Sequence, residues 1–205
     1  MPVASDKGGG SFQLAPVGNH LAICVQVIDL GTQKDAYLGK PKNIRKVRLS
    51  FELPEETAIF DEARGEEPFM VSKEYTLSLS EKAHLRHDIE AWRGVPFSKE
   101  ELAGFELKRL LGAPCMVNVV HETSKNNRVY AKITSITRLP KKIKKADVPK
   151  PVNELLCYDI DDNVNEVFQK LPEFIRDKIK ASLEATGEIG SREEPASSED
   201  DSIPF

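Results

Sequence analysis

The sequence predicts a mainly β protein, a five-stranded barrel carrying a helical insertion, from three observations. Runs rich in β-branched residues alternate apolar and polar positions with a period of two. One central stretch switches to a helical period. Turn residues, not long linkers, separate the runs. With 205 residues, 40% hydrophobic and 30% charged, the chain can bury one sizeable core and is too short for more than one ordinary domain plus appendages.

The elements follow in order. Residues 1–12, ending in Gly8-Gly9-Gly10-Ser11, read as a flexible leader. Residues 20–30 are too short and too uniformly apolar for a surface helix and read as a buried strand. Residues 31–43, with Gly31, Gly39 and Pro41 among Lys34, Lys40 and Lys42, read as a long basic loop. In residues 44–53, Val47, Leu49 and Phe51 alternate with Lys46, Arg48 and Ser50, so this second strand has one core face and one wet, basic face. Residues 55–68 look acidic and turn-like, and a third strand follows over 69–79.

The helical period then begins. Ser78 and Glu81 have capping-box spacing, and Leu85, Ile89 and Trp92 recur as a helix face that ends near Gly94. Ser98 and Glu101 repeat the capping signal before a second helical stretch ending near Gly112. Two more strands, 115–121 and 129–138, flank the polar turn Ser124-Lys125-Asn126-Asn127. Three strands, a helical insertion and two strands is the order of the Greek-key barrel called the OB fold, which assigns the domain to residues 13–140. Residues 141–185 read as a basic linker and two helices, 163–170 and 172–184, the second with Phe174, Ile175, Ile179 and Leu183 on one apolar stripe. Residues 186–205 hold too little apolar surface to order themselves and read as a disordered acidic tail.

The net charge of -4 is unevenly divided. Residues 1–150 carry 24 basic and 19 acidic side chains, whereas 186–205 carry one and six. A basic body beside an acidic tail points to a polyanion-binding surface that the tail contests. No run approaches the roughly 18 apolar residues of a membrane span, and residues 1–10 lack the apolar region of a signal peptide, so a cytoplasmic protein with no membrane partner is expected. Cys24, Cys115 and Cys157, odd in number and without CxxC spacing, read as reduced thiols.

The last seven residues read Glu199-Asp200-Asp201-Ser202-Ile203-Pro204-Phe205, an acidic string with an apolar barb. An apolar pocket rimmed by Arg or Lys would capture such a segment. It resembles the acidic Ile-Pro-Phe tip of bacterial single-stranded DNA-binding proteins, with Ser202 inserted after the aspartates. The bulky body, with its insertion over 80–112 and almost no low-complexity linker, is more similar to the members of that class encoded by bacteriophages and prophages. The resemblance implies that Asp200, Asp201, Ile203, Pro204 and Phe205 recruit replication, recombination and repair enzymes while the barrel coats single strands. It leaves room for a homo-oligomer.

Binding residues on the barrel follow from chemistry. Sequence-tolerant binding of single strands needs cations that track phosphates and flat rings on which bases stack. OB barrels place these on strands two and three and in the loops joining strands one to two and four to five. The candidates are Lys34, Tyr37, Lys40 and Lys42 in the first loop; Arg45, Lys46 and Arg48 on strand two; Lys73 and Tyr75 on strand three; Lys125 and Arg128 in the hairpin; and Tyr130 and Lys132 on strand five. Phe51 and Trp92 are expected in the core. Catalytic signals are weak. Gly39-Lys40 lacks the glycine spacing and the Ser/Thr of a phosphate-binding loop, and His84 and His87 have no completing ligand pattern, so no enzyme activity, metal or cofactor is expected. Two other readings share much of this evidence: a protein-interaction adaptor that does not touch DNA, and a strand-annealing recombination mediator.

Overall fold

A computed structural model describes residues 13–37, 40–162 and 164–188. Five strands, β1 (Gly18–Tyr37), β2 (Lys40–Asp61), β3 (Gly65–Thr76), β4 (Pro114–Thr123) and β5 (Val129–Thr137), pair antiparallel in the order β3-β2-β1-β4-β5. The two ends of that order, β3 and β5, come into contact, so the sheet forms a nearly closed barrel. A short sixth strand, β6 (Leu156–Tyr158), lies parallel to β1 at Gln26–Ile28. Three residues are too few to carry a periodic signal, so sequence patterning misses it.

β1 reads as continuously apolar because both of its faces are covered. Ala22, Cys24 and Val27 join the barrel core with Leu49, Phe51, Val117, Ile133 and Ile136. Ile28 and Leu30 instead pack with Tyr158, Leu171, Ile175 and Ile179 in a second cluster beneath the C-terminal helices. Register shifts at Cys24/Gln26 and Asp29/Gly31 bend the strand between these two roles.

Two stretches expected as irregular are strands. Residues 31–43 are not a loop: β1 and β2 stay paired out to Tyr37↔Lys40, forming a two-stranded ribbon beyond the barrel. Residues 55–68 likewise continue β2 into β3, with Ala58↔Glu67 and Ile59↔Glu66 paired and the turn confined to 62–64. The glycines and acidic residues mislead because the cross-strand ladder, not an apolar face, supplies the order of these ribbons.

Between β3 and β4 lie α1 (His84–Arg93), α2 (Lys99–Ala103) and a 3-10 turn at Leu107–Leu110. α1 begins later than Ser78-Glu81 suggests, because the Ser78 hydroxyl accepts from Ser80 N instead of capping a helix. The Ser98/Glu101 box is fully formed. α1 lays Leu85, Ile89 and Trp92 on the barrel core, with the Trp92 ring 5.6 Å from Phe51. After β5 come α3 (Asn165–Lys170), α4 (Glu173–Lys180) and α5 (Leu183–Thr186). The single helix expected over 172–184 is broken because the Ser182 hydroxyl caps α5 by accepting from Ala185 N. Ile175, Ile179 and Leu183 are buried, but Phe174, expected on the same stripe, is 61% exposed. Among the described residues, no helix is long and apolar enough to cross a membrane.

Candidate nucleic-acid interface

The barrel seam between β3 and β5 opens into a groove of about 790 Å3, a volume typical of binding sites. Residues 69–74 form one wall, and Tyr130, Ala131, Lys132 and Ile133 of β5 form the other. Arg48 reaches in from β2, and Phe60 and Arg64 from the β2–β3 ribbon. Alternation places these side chains: Ile133 turns into the core, so Tyr130 and Lys132 keep substantial solvent contact.

The cations in the groove are held by carboxylates. Lys73 Nζ donates to Asp88 at 2.6 Å, and Lys132 Nζ to Glu122 at 2.7 Å. The Tyr130 hydroxyl donates to the same Glu122 at 2.9 Å, and Lys132 and Tyr130 together hold that carboxyl below its ordinary range. Arg48 Nη1 donates to Glu74 at 3.3 Å, while its guanidinium lies 5.5 Å from the centre of the exposed Phe174 ring. Arg64 lies 3.3 Å from Glu67 and 3.4 Å from Asp61. Phe60, half exposed, meets Phe69 edge-on at 5.0 Å. The result is a concave strip of rings and carboxylate-paired cations.

Of the residues the sequence nominates, Arg48, Lys73, Tyr130 and Lys132 are brought together in this groove. Lys34, Lys40, Lys42 and Lys46 lie on the β1–β2 ribbon, where Lys34 is bound to Glu188 at 2.9 Å and Lys46 to Asp35. The Tyr37 side chain lies outside the described residues. Lys125 and Arg128 are exposed at the β4–β5 turn, with no ion pair among the described residues.

Two nominations are corrected. Tyr75 is only 4% exposed, packed in the core with its hydroxyl on Asp88 at 2.7 Å, and offers no ring face to a base. Arg45 is a structural tie: it donates to Asp29 at 2.5 Å and to Asp161 at 2.9 Å, joining β2 and β1 to the segment after β6. Burial alone would lower its pKa, but the two carboxylates outweigh burial and raise it. Asp200, Asp201, Ile203, Pro204 and Phe205, expected from the sequence to bind partners, lie outside the described residues.

No protein-family model matches the chain, and no curated protein matches it. The groove's own chemistry is therefore the guide to its ligand. Sequence reading misses Phe60, Arg64 and Phe174. For the first two a signal existed, an aromatic and a cation four residues apart within an otherwise acidic stretch. For Phe174 none did, since its place on the helix suggests burial. Among the described residues, no cluster of three or more His, Cys, Asp or Glu is arranged to hold a metal ion.

Proposed function

We propose that the protein is a non-enzymatic single-stranded DNA-binding protein, of the kind phages and prophages encode, acting in the cytoplasm during replication, recombination or repair. On this reading the barrel is an OB fold with its helical insertion between the third and fourth strands. The strand order β3-β2-β1-β4-β5, with β3 beside β5, supports that assignment. One observation carries the function: the seam groove sets the exposed ring of Tyr130 beside Lys132 and faces them with Lys73, Arg48 and Arg64. Rings stack on any base and cations track the backbone without reading sequence. The exposed pairs of Lys132 and Arg64 contribute only about 0–1 kcal/mol each and yield readily to phosphate, whereas Lys73 and Arg48 are in part-buried pairs and lend the groove their charge from its wall. Residues 199–205 form an acidic, apolar-ended recruiting segment for partner enzymes.

The test is a fluorescence titration with labelled oligo-dT at several salt concentrations. Log affinity should fall linearly with log salt, with a slope of about -3 if some four phosphates are neutralised at about -0.7 each on single strands. Salt-independent or undetectable binding would overturn the reading and leave an adaptor that displays its acidic segment.

A further inference from the structure

Two rows of side chains on α4 meet the barrel differently. Ile175 and Ile179, one turn apart, are buried in the C-terminal cluster. Phe174 and Lys178 each precede them by one position, so they form a second row about 100° round the helix. That row reaches β2 and β3. Lys178 Nζ donates to Glu74 Oε2 at 2.5 Å, and the Arg48 guanidinium lies over the Phe174 ring, 5.5 Å from its centre. Gln33 Nε2 donates to the Lys178 carbonyl at 3.1 Å and ties the same turn to β1. The helix is therefore anchored on three strands, and Phe174 has a fixed place on it.

This place is the mouth of the seam groove. Arg48 and Glu74, which hold the Phe174–Lys178 row, are register partners on β2 and β3 and both line the groove. Phe60, edge-on to Phe69, stands toward its other end. Phe69 and Glu74 are five residues apart on β3, about 17 Å at about 3.4 Å per residue. A nucleic-acid strand that runs along the groove from Phe60 leaves it beside Phe174.

The surroundings of the ring select a nucleotide. At 61% exposure Phe174 is the most exposed aromatic side chain among the described residues, and a guanidinium backs it on one side. Its neighbours on α4, Glu173, Asp177 and Lys178, are charged, whereas a partner protein's apolar side chains call for an apolar interface core. Beneath the ring, Arg48 and Lys178 share the single carboxylate of Glu74, one on each oxygen. Two cations on one carboxylate leave a local positive charge. A ligand that is flat and anionic at once satisfies both features, its base on the ring and its phosphate on the cations.

We propose that Phe174 is a base-stacking residue contributed by the helices that follow the barrel, with Arg48 supporting the ring and Lys178 and Arg48 facing the adjoining phosphate. The inference rests on the seam groove taking single strands and extends that interface off the barrel onto α4. Glu74 already holds Arg48, and α4 is already anchored, so stacking here requires little further ordering.

The test compares the full-length parent chain with Phe174→Ala and Phe174→Trp in titrations with labelled oligo-dT, following tryptophan emission with unlabelled oligo-dT and mass in solution alongside. Phe174→Ala should weaken binding about tenfold with an unchanged salt slope, because a stacked base is lost and no charge is. Phe174→Trp should keep the parental affinity, and oligo-dT should quench its added emission while leaving that of the buried Trp92 in the parent unchanged. Parental affinity in Phe174→Ala, or unquenched emission in Phe174→Trp, in a chain whose binding still requires Tyr130, would overturn this inference and leave the groove reading standing. A change of mass in solution in either variant would make Phe174 a contact between copies and overturn it likewise. Failure of the parent chain to bind oligo-dT would overturn both.

Discussion

Glu52 binds Asn153 with one oxygen and Val152 with the other: Oε2 accepts from Asn153 N at 2.8 Å and from its Nδ2 at 2.7 Å, and Oε1 accepts from Val152 N at 2.9 Å. The carboxylate is fully buried on β2, so these three donors replace its water and fasten the segment after β5 to the barrel. Glu52→Gln keeps the shape but turns an amide toward N–H donors, leaving at least one buried group unsatisfied. We expect a loss of about 1–3 kcal/mol of stability, read as a lower urea midpoint with an unchanged slope.

Arg45 provides a second check, because the sequence assigns it to DNA and the structure assigns it to Asp29 and Asp161. Asp29 is largely buried, and Arg45→Ala would remove the guanidinium that offsets its charge. The expected cost is about 3 kcal/mol in urea denaturation. At temperatures where the variant remains folded, the salt dependence of DNA binding should be unchanged. A shallower slope would return Arg45 to the binding surface.

Glu52 and Arg45 also show where sequence patterning stops being informative. The strand over 44–53 is legible because Val47, Leu49 and Phe51 share a face. Strict alternation, however, sends Glu52 to solvent, and only contacts with residues about a hundred positions away bury it; Arg45 is in phase with the core face, and its partners Asp29 and Asp161 are not legible from strand phase. The seam groove is half legible: Tyr130 and Lys132 follow from strand phase, while Lys73 is in phase with the buried Val71 and Tyr75, and Phe60 and Arg64 depend on a ribbon whose order comes from cross-strand pairing. Trp92 is legible from helical spacing alone, because it packs within its own local unit and the barrel beneath it.

Tyr130 is the ring best placed to stack. It is 40% exposed, and among the described residues its hydroxyl donates to Glu122 on the adjacent strand. Tyr130→Ala should weaken oligo-dT binding about tenfold with little change in salt slope, because stacking is lost and no charge is. Lys132→Ala should instead make the slope shallower by about 0.7. Titrations of both variants against the parent protein separate the two effects.

The three cysteines differ in burial and so in reactivity. Burial pushes the Cys24 thiol up to about 12 and raises Cys115 well above its ordinary value, whereas Cys157 is only partly buried and is raised chiefly by that burial. Thiolate is the reactive form, so at pH 8 iodoacetamide should label Cys157 alone in the native protein and all three in urea. The sign for stability follows: the fold keeps Cys24 protonated, so its contribution is intact below about pH 9 and is lost as pH rises from there toward 12. Mass spectrometry of the labelled chain and a thermal melt series from pH 8 to 11 would read both.

Gly31 marks the point where the C-terminal helices meet the root of the β1–β2 ribbon. Its φ is +68°, and an added Cβ would lie 2.7 Å from Ser182 Cβ and 2.9 Å from Glu184 Oε2. The neighbouring Thr32 donates to Glu184 through both its backbone N and its hydroxyl, each at 2.7 Å. Gly31→Ala therefore imposes a strained backbone and pushes α5 off these donors, at a cost of about 1–3 kcal/mol. The damage should be local. Hydrogen exchange should speed up across residues 181–188 and at Thr32, while the amides of β4 and β5 keep their protection. Equal acceleration throughout the barrel would show instead that α4 and α5 fold as one cooperative unit with the five strands.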